Sequence, residues 1–440
     1  MLQHFAHLYQ VPELRKRIFL TIVLLMVYRI GWNIPLPGID PNRVNALMDQ
    51  GSGGNTLVDF LNIISGGGLQ RASLFSLGIM PYISASIIFS LLVKVIPALE
   101  KVSKEGSAGQ RKIGQWTRYA TVPICVVQAA FAVQPYMQPQ AALRNTEFGF
   151  SAITFPDLPF AWPFWAVLAL TSGSIFLMWL GEQITEHGVG NGISILIMAG
   201  IVAVLPESLM AANLSTAKMA LLSSLFVLVT LGVVFITKGQ RKIPVQYAKL
   251  TRGRRVYGGQ RHYMPIKVNM AGVMPVIFAS ALLSFPPMIF NAVGLQGLGD
   301  ALGYGKYLWS MAYIGLTFFF SFFWVALMFN PVEMSKNMKE SGSFIPGIRP
   351  GRPTAEYLEK IMNRITLAGA FFLALIAVLP VVIADTMDLP DMLTIYLGGT
   401  TILIVVSVAL DLVDKINSYL VMRNYEGFLG ASKKEGKKGR

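Results

Sequence analysis

Long apolar runs alternate with short polar or basic stretches along most of the chain. A helix needs about 20 mostly apolar residues to cross the hydrocarbon core of a bilayer. Ten runs approach that length, so the pattern predicts an all-α membrane protein with ten transmembrane helices. The predicted spans are approximately 18–34, 74–95, 117–134, 162–180, 192–205, 218–236, 270–290, 308–329, 364–384 and 393–412.

The segment from Phe60 to Ser73 interrupts this pattern directly before the second run. It begins as an apolar helix-like stretch and then meets Gly66-Gly67-Gly68 and Arg71. Three glycines weaken a helix, and an arginine is costly in hydrocarbon. The sequence therefore predicts a weak, broken segment immediately before a spanning helix.

Composition and charge support a membrane protein and give its orientation. Apolar residues make up 53% of the chain and charged residues 14%, whereas soluble domains carry about 25% charged residues. With the N-terminus in the cytoplasm, 31 of the 37 Lys and Arg residues fall on the cytoplasmic side. The positive-inside rule therefore predicts that both termini are cytoplasmic. The 181–191 loop is a local exception, because it has no Lys or Arg and carries Glu182 and Glu186.

Ten spans divide into two sets of five, which we predict to be an N-terminal half, 1–210, and a C-terminal half, 211–414. An odd number of spans makes the second half begin on the opposite side of the membrane, so repeated halves would be inverted. The C-terminal half carries two long cytoplasmic loops, 238–267 and 333–363, and a basic cytoplasmic tail follows at 415–440.

The sequence offers little for catalysis or for cofactor binding. It has no P-loop pattern, its four histidines lack metal-ligand spacing, and its lone cysteine, Cys125, cannot form an internal disulfide. No predicted span has a carboxylate or histidine near its midpoint, where a proton-coupled carrier or an intramembrane protease would need one. We therefore expect no enzyme activity, no metal and no cofactor, with energy supplied by a partner or a gradient.

Spacing alone leaves two patterns open. Ile79, Ile83 and Ile87 share one helix face, which is typical of a lipid-facing or core stripe and also of an apolar constriction that excludes water. The 238–267 loop has nine basic residues and no acidic ones, so it suits anionic lipid headgroups and an acidic or RNA-containing partner equally well. In the 333–363 loop, prolines constrain the backbone that carries Arg349, which favours a presented surface.

Six motifs, in order along the chain, resemble the SecY family, the channel subunits of the bacterial general secretion translocon. They are FLNIISGGGLQRASLFSLGIMPYISASII, FLMWLGEQITEHGVGNGISI, GRRVYGGQ, KVNMAGVMPVIFAS, FNPVEMSKNMKESGSFIPGIRPG and YLGGTTILIVV. The resemblance runs from about residue 8 to residue 427. It implies two inverted five-helix halves around an hourglass pore, closed from outside by a short re-entrant plug helix over about 60–73.

The resemblance also implies roles for individual residues. The implied pore ring is Ile79, Ile83, Ile197, Ile277 and Ile404. The implied plug residues are Phe60, Ile63, Ile64, Ser65, Gly66, Gly67, Gly68, Arg71 and Ser73. The implied lateral-gate residues are Ser84, Gln128 and Phe285, and those for docking a motor or ribosome are Arg254, Arg255 and Arg349. Ile87 keeps its interpretation as part of a stripe.

The function implied by the resemblance is a protein-conducting channel in the bacterial cytoplasmic (inner) membrane. It would pass unfolded preproteins across the membrane and release membrane spans laterally into lipid. The implied partners are the SecE and SecG membrane subunits, the SecA ATPase, the ribosome with its nascent chain, preprotein signal sequences and membrane lipids, including anionic ones. The rival hypothesis is an ion-coupled secondary transporter of a small solute, since inverted five-helix repeats also build those. The lack of midplane charge and the large basic loops count against that alternative.

Overall fold

The computed structural model describes residues 12–37, 73–137, 162–211, 215–247, 250–252, 255–257, 261–292, 296–303, 306–386 and 398–435. Most of these residues are helical, which confirms the helical part of the predicted fold. The helices are α1 Pro12–Trp32, α2 Met80–Val95, α3 Pro97–Lys104, α4 Ser107–Met137, α5 Trp162–His187, α6 Gly192–Ala211, α7 Thr216–Lys238, α8 Met274–Ala292, α9 Gln296–Ala301, α10 Tyr307–Met328, α11 Pro331–Glu340, α12 Arg352–Thr386 and α13 Gly399–Glu435.

Each of the ten predicted apolar runs overlaps one long helix. By length and composition, four described stretches can cross a bilayer: Pro163–His187, Thr216–Lys238, Tyr307–Glu340 and Arg352–Ile383. A fifth span results if α2 and α3, which are bent by 100° at their junction, count as one. These stretches support a multi-pass membrane protein, and the count of ten spans stays a prediction.

Local sequence explains several helix ends. Ile96 lies between the end of α2 and Pro97. Because the residue before a proline avoids helical backbone, Ile96 is extended and the chain bends there. Asn330 begins α11 by accepting hydrogen bonds from the amides of Val332 and Glu333 at 3.1 and 3.4 Å, which satisfies two donors that no helical carbonyl can reach.

Five strands in the 238–267 and 333–363 loops depart from the all-α prediction. They are β1 Gln240–Tyr247, β2 Leu250–Arg252, β3 Arg255–Tyr257, β4 Arg261–Lys267 and β5 Ser343–Phe344. β1 is the centre of an antiparallel sheet in the order β4-β1-β5, and β2 pairs with β3. The prediction missed them because basic residues mask a period-two pattern, in which only Ile243 and Val245 of β1 are buried.

The chain forms two compact units. The first comprises Met1–Ala211 and Val408–Arg440. One of its cores is centred on Tyr28, Phe75, Ile79, Leu177, Leu180, Ile184, Ile195 and Leu196. A second core joins Leu36 and Leu77 to residues of α4 and α5, among them the buried Cys125. Both cores therefore include residues of the turn that leads into α2.

The second unit comprises Ala212–Ser407. Its core is built from α7, α8, α10, α12 and the first turns of α13. Within it, Trp309 stacks on the fully buried Tyr313 at 4.8 Å between ring centroids. A side chain at Gly399 would collide with the carbonyl of Ile376, so α13 begins in direct contact with the backbone of α12.

Candidate functional site

The turn before α2 is anchored at both ends. Ser73, the one predicted plug residue inside the described ranges, forms an isolated antiparallel bridge with Pro35. The amide of Leu74 donates to the carbonyl of Ile34 at 2.9 Å, and the Ser76 hydroxyl donates to the carbonyl of Ser73. Gly78 closes the turn with φ of +56°, a conformation that glycine adopts without strain.

Phe75 fastens this turn to the helices around it. Its ring stacks between Tyr28, at 6.4 Å, and Phe176, at 5.9 Å between centroids. Two glycines make room for the turn: a side chain at Gly31 would strike the Phe75 ring, and one at Gly173 would strike the carbonyl of Leu74. The turn is therefore packed too closely to shift without moving α1 or α5.

The three proposed ring residues of the first unit follow from this turn and from α6. Ile79 is the residue immediately before α2 and is 5% exposed in the core around Phe75. Ile83 lies one turn later, is half-buried and packs against the same core. Ile197 lies on α6 and is half-buried, next to the buried Leu196.

The two helices that carry the predicted ring residues of the second unit meet at one buried hydroxyl. The Tyr313 hydroxyl lies 3.5 Å from the carbonyl of Val276, which precedes the half-buried Ile277. It is also 3.1 Å from the Thr400 hydroxyl, one turn before the buried Ile404 on α13. Tyr313 thus connects the two helices that carry these isoleucines.

The three predicted lateral-gate residues lie on α2, α4 and α8. Ser84 on α2 and Gln128 on α4 are both half-buried, and these two helices pack against each other. Phe285 lies within α8. The plug residues Phe60, Ile63, Ile64, Ser65, Gly66, Gly67, Gly68 and Arg71 lie outside the described residues.

The predicted docking residues belong to the 238–267 and 333–363 loops of the second unit. Arg254 is outside the described residues, and Arg255 begins β3. Arg349 is exposed in the turn between β5 and α12. The two loops are joined directly, because Gln246 and Tyr247 of β1 pair with Phe344 and Ser343 of β5. This connection could not be predicted from the sequence, since a two-residue strand has no recognisable pattern.

The 181–191 segment, which the sequence predicted to be a loop, is helical up to the end of α5 at His187, and only residues 188–191 form a turn. The segment is held within the first unit by three contacts. Glu182 pairs with Arg118 of α4 at 2.5 Å. Arg17 donates to the carbonyl of Gly188 at 3.3 Å, and the Thr21 hydroxyl accepts from the amide of Val189 at 3.2 Å. Sequence reasoning missed these contacts because the partners are 64 to 171 residues apart.

Among the residues that the structure describes, no group of three or more His, Cys, Asp or Glu side chains is arranged to hold a metal ion. The predicted site residues whose burial is described are five buried or half-buried isoleucines, the half-buried Ser84 and Gln128, and the exposed Arg349.

Sequence comparison identifies close relatives. A profile of the SecY family matches residues 73–413. Protein translocase subunit SecY of Escherichia coli K12 is 44% identical over 438 residues, covering 96% of this chain and 96% of the relative. The subunit of the same name from Streptomyces galbus is 42% identical over 449 residues, covering 98% of this chain and 100% of the relative.

Two solved structures share the fold. One, described as a protein-conducting channel, has a TM-score of 0.60 at 19% identity and covers 93% of this chain and 96% of its own. Sec61 in the canine ribosome–channel complex from the endoplasmic reticulum has a TM-score of 0.57 at 18% identity, with the same coverage. The motif resemblance is thus confirmed over nearly the whole chain, which belongs to the SecY family of protein translocase subunits.

Proposed function

We propose that this chain is the channel subunit of a bacterial secretion translocon, which passes unfolded preproteins across the cytoplasmic membrane and releases membrane spans into lipid. The observation that carries the proposal is its 44% identity to Escherichia coli SecY over 96% of both chains. The finer architecture belongs to the same proposal: ten spans in two inverted halves, divided near residues 210 and 414, with both termini and the basic tail in the cytoplasm. Because the chain belongs to the SecY family, the solute-transporter alternative is not favoured.

The constriction is proposed to be the five isoleucines Ile79, Ile83, Ile197, Ile277 and Ile404. A ring of aliphatic side chains excludes water and ions by dewetting and holds no passing segment strongly. Such a ring suits a channel that must accept many different sequences.

Two movable parts complete the proposed channel. The segment 60–73 acts as the plug, and the anchored turn at 73–79 gives it a fixed end from which to move. Ser84, Gln128 and Phe285 line the lateral gate. Interhelical hydrogen bonds in membranes contribute about 0.6 kcal/mol on average and at most about 1.7, so small polar groups hold a gate closed without locking it.

The proposed partners follow from the missing energy source and the basic loops. Because the sequence has no nucleotide-binding motif, the SecA ATPase or a translating ribosome supplies the driving force at Arg254, Arg255 and Arg349. Ribosome docking is carried over from the Sec61 structure, which is a ribosome–channel complex. The other proposed partners are SecE, SecG, preprotein signal sequences and membrane lipids, including anionic ones.

Crosslinking tests the channel directly. Cys125 is the chain's lone cysteine and is buried, so its replacement by alanine provides a background for single cysteines at the five ring positions. A secretory precursor that is stalled halfway by a folded C-terminal domain and carries one cysteine of its own should form a disulfide at all five positions when an oxidant is added. Cysteines at Phe235 and Phe319, which are exposed on α7 and α10, serve as lipid-facing controls.

Reaction that is confined to one unit, or no stronger at the five positions than at the two controls, would contradict the ring. Solute uptake driven by an ion gradient in liposomes that contain this complex alone would favour the transporter instead.

A further inference from the structure

Arg349 is presented on a loop whose backbone is tied from two sides. The Thr354 hydroxyl, on the first turn of α12, donates to the carbonyl of Arg349 itself at 2.8 Å. The Ser335 hydroxyl, on α11, donates to the carbonyl of Gly351 at 2.6 Å. The loop between α11 and α12 is therefore hydrogen-bonded to both of its flanking helices.

Both hydroxyl-bearing residues are buried, although this is a cytoplasmic loop. Ser335 is 3% exposed and Thr354 is 2% exposed. A buried hydroxyl that loses its acceptor keeps its desolvation penalty, so such bonds resist opening more than surface ones do. This burial distinguishes the two residues from Ser341, an exposed neighbour that donates to its own helix at the carbonyl of Asn337.

Gly351 makes the arrangement possible. Its φ of +102° is a conformation that residues with side chains rarely adopt. In this conformation its carbonyl accepts the Ser335 hydroxyl and also the amides of Thr354 and Ala355, at 3.0 and 3.1 Å. One backbone group thus joins α11, the loop and the start of α12.

Two arginines of this loop, Arg349 and Arg352, differ in their ion pairing. Arg352 pairs with Glu356 one turn along α12 at 3.0 Å. Arg349 is exposed, and no acidic side chain among the described residues pairs with it. A fixed backbone and an unpaired guanidinium suit recognition of an external acidic group, because little conformational freedom is lost on binding.

We infer that Ser335 and Thr354 are positioning residues for docking the translocation motor, because their buried hydroxyls hold the backbone that presents Arg349. This inference rests on the proposed function, in which Arg349 contacts SecA. Neither hydroxyl needs to touch the partner, so substitution should weaken docking only as long as Arg349 is present.

A double-mutant cycle tests this dependence. The affinity of the cognate SecA is measured for membrane vesicles that contain the full channel complex with T354V, S335A, R349A, or R349A combined with each. T354V and S335A should each weaken binding roughly three- to tenfold, the range that losing one ordinary hydrogen bond converts to. In the R349A background, either change should add less than about twofold.

Two variants control for effects on folding. T354S keeps the donor and should bind within about twofold of wild type. T366V makes the same exchange on α12 at a buried hydroxyl that has no hydrogen-bond partner among the described residues, so it should leave affinity unchanged. Amide exchange over residues 347–351 should rise in T354V and stay at the wild-type rate in T366V.

The outcomes separate the inference from the proposal on which it rests. If R349A weakens SecA binding and T354V does not, or if T354V weakens binding equally without Arg349, the inference is overturned and docking at Arg349 stands. If R349A binds normally, the docking role of Arg349 fails. Faster loop exchange in T354V would then still support a backbone-holding role for Thr354, and unchanged exchange would remove that as well.

Discussion

Ile79 in the first unit and Ile277 in the second both lie where an irregular segment turns into a helix, yet the two junctions are held differently. The first is packed: Phe75 stacks between Tyr28 and Phe176 while glycines admit the turn. The second is hydrogen-bonded, through the Tyr313 hydroxyl between the carbonyl of Val276 and Thr400.

The two kinds of anchor have different physical properties. A packed aromatic ring resists movement in every direction, because any displacement opens a cavity or creates a collision. A hydroxyl bridge is directional and weak, since interhelical hydrogen bonds in membranes contribute about 0.6 kcal/mol on average. The comparison teaches that the junction in the first unit is fixed in place, whereas that in the second is coupled to a neighbouring helix.

The largest effect is expected from removing the packed anchor. Phe75→Ala empties a site that is 3% exposed and should cost about 3–5 kcal/mol of unfolding free energy. Titration of the detergent-solubilised protein with sodium dodecyl sulfate measures this cost. Phe235→Ala, at a ring that is 77% exposed, is the matched control and should cost under about 1 kcal/mol. Equal costs for both would show that the stack does not anchor the turn.

A smaller effect is expected from crowding the same turn. Gly173→Ala puts a methyl group against the carbonyl of Leu74 and should destabilise by about 1–3 kcal/mol. Gly315→Ala on α10 places the new carbon more than 4 Å from every described atom outside its chain neighbours and the nearby helix backbone, and should instead stabilise by up to about 1 kcal/mol. The same titration measures both, and a neutral Gly173→Ala would mean that the turn shifts freely.

The smallest effect is expected from the hydroxyl bridge. Tyr313→Phe keeps the ring and removes the hydroxyl, which should cost about 0.6–1.7 kcal/mol. Thr400→Val should cost less when the hydroxyl is already gone, because the two changes break the same bond. Ion conductance of the resting channel in planar bilayers should rise slightly in Tyr313→Phe. If the stability costs of the two changes simply add in the double variant, the bridge is contradicted.

Parts of the site could be read from the sequence because their signals are local. Apolar runs predicted where long helices lie, since burial in lipid depends on composition within one segment. The six motifs led to the family assignment that the comparisons confirm. The strands at the β1–β5 edge escaped prediction, because β5 has only two residues and pairs with a segment almost 100 residues earlier.

The sequence by itself determined the membrane-embedded, mostly helical architecture, the strong basic bias of its loops and the family to which the chain belongs. The tertiary structure alone decided which groups meet: Arg118 with Glu182, Tyr313 with Thr400, and Ser335 with the carbonyl of Gly351. The physical reason is that hydropathy acts within one segment, whereas a hydrogen bond or a packed ring needs two distant segments at the same point in space.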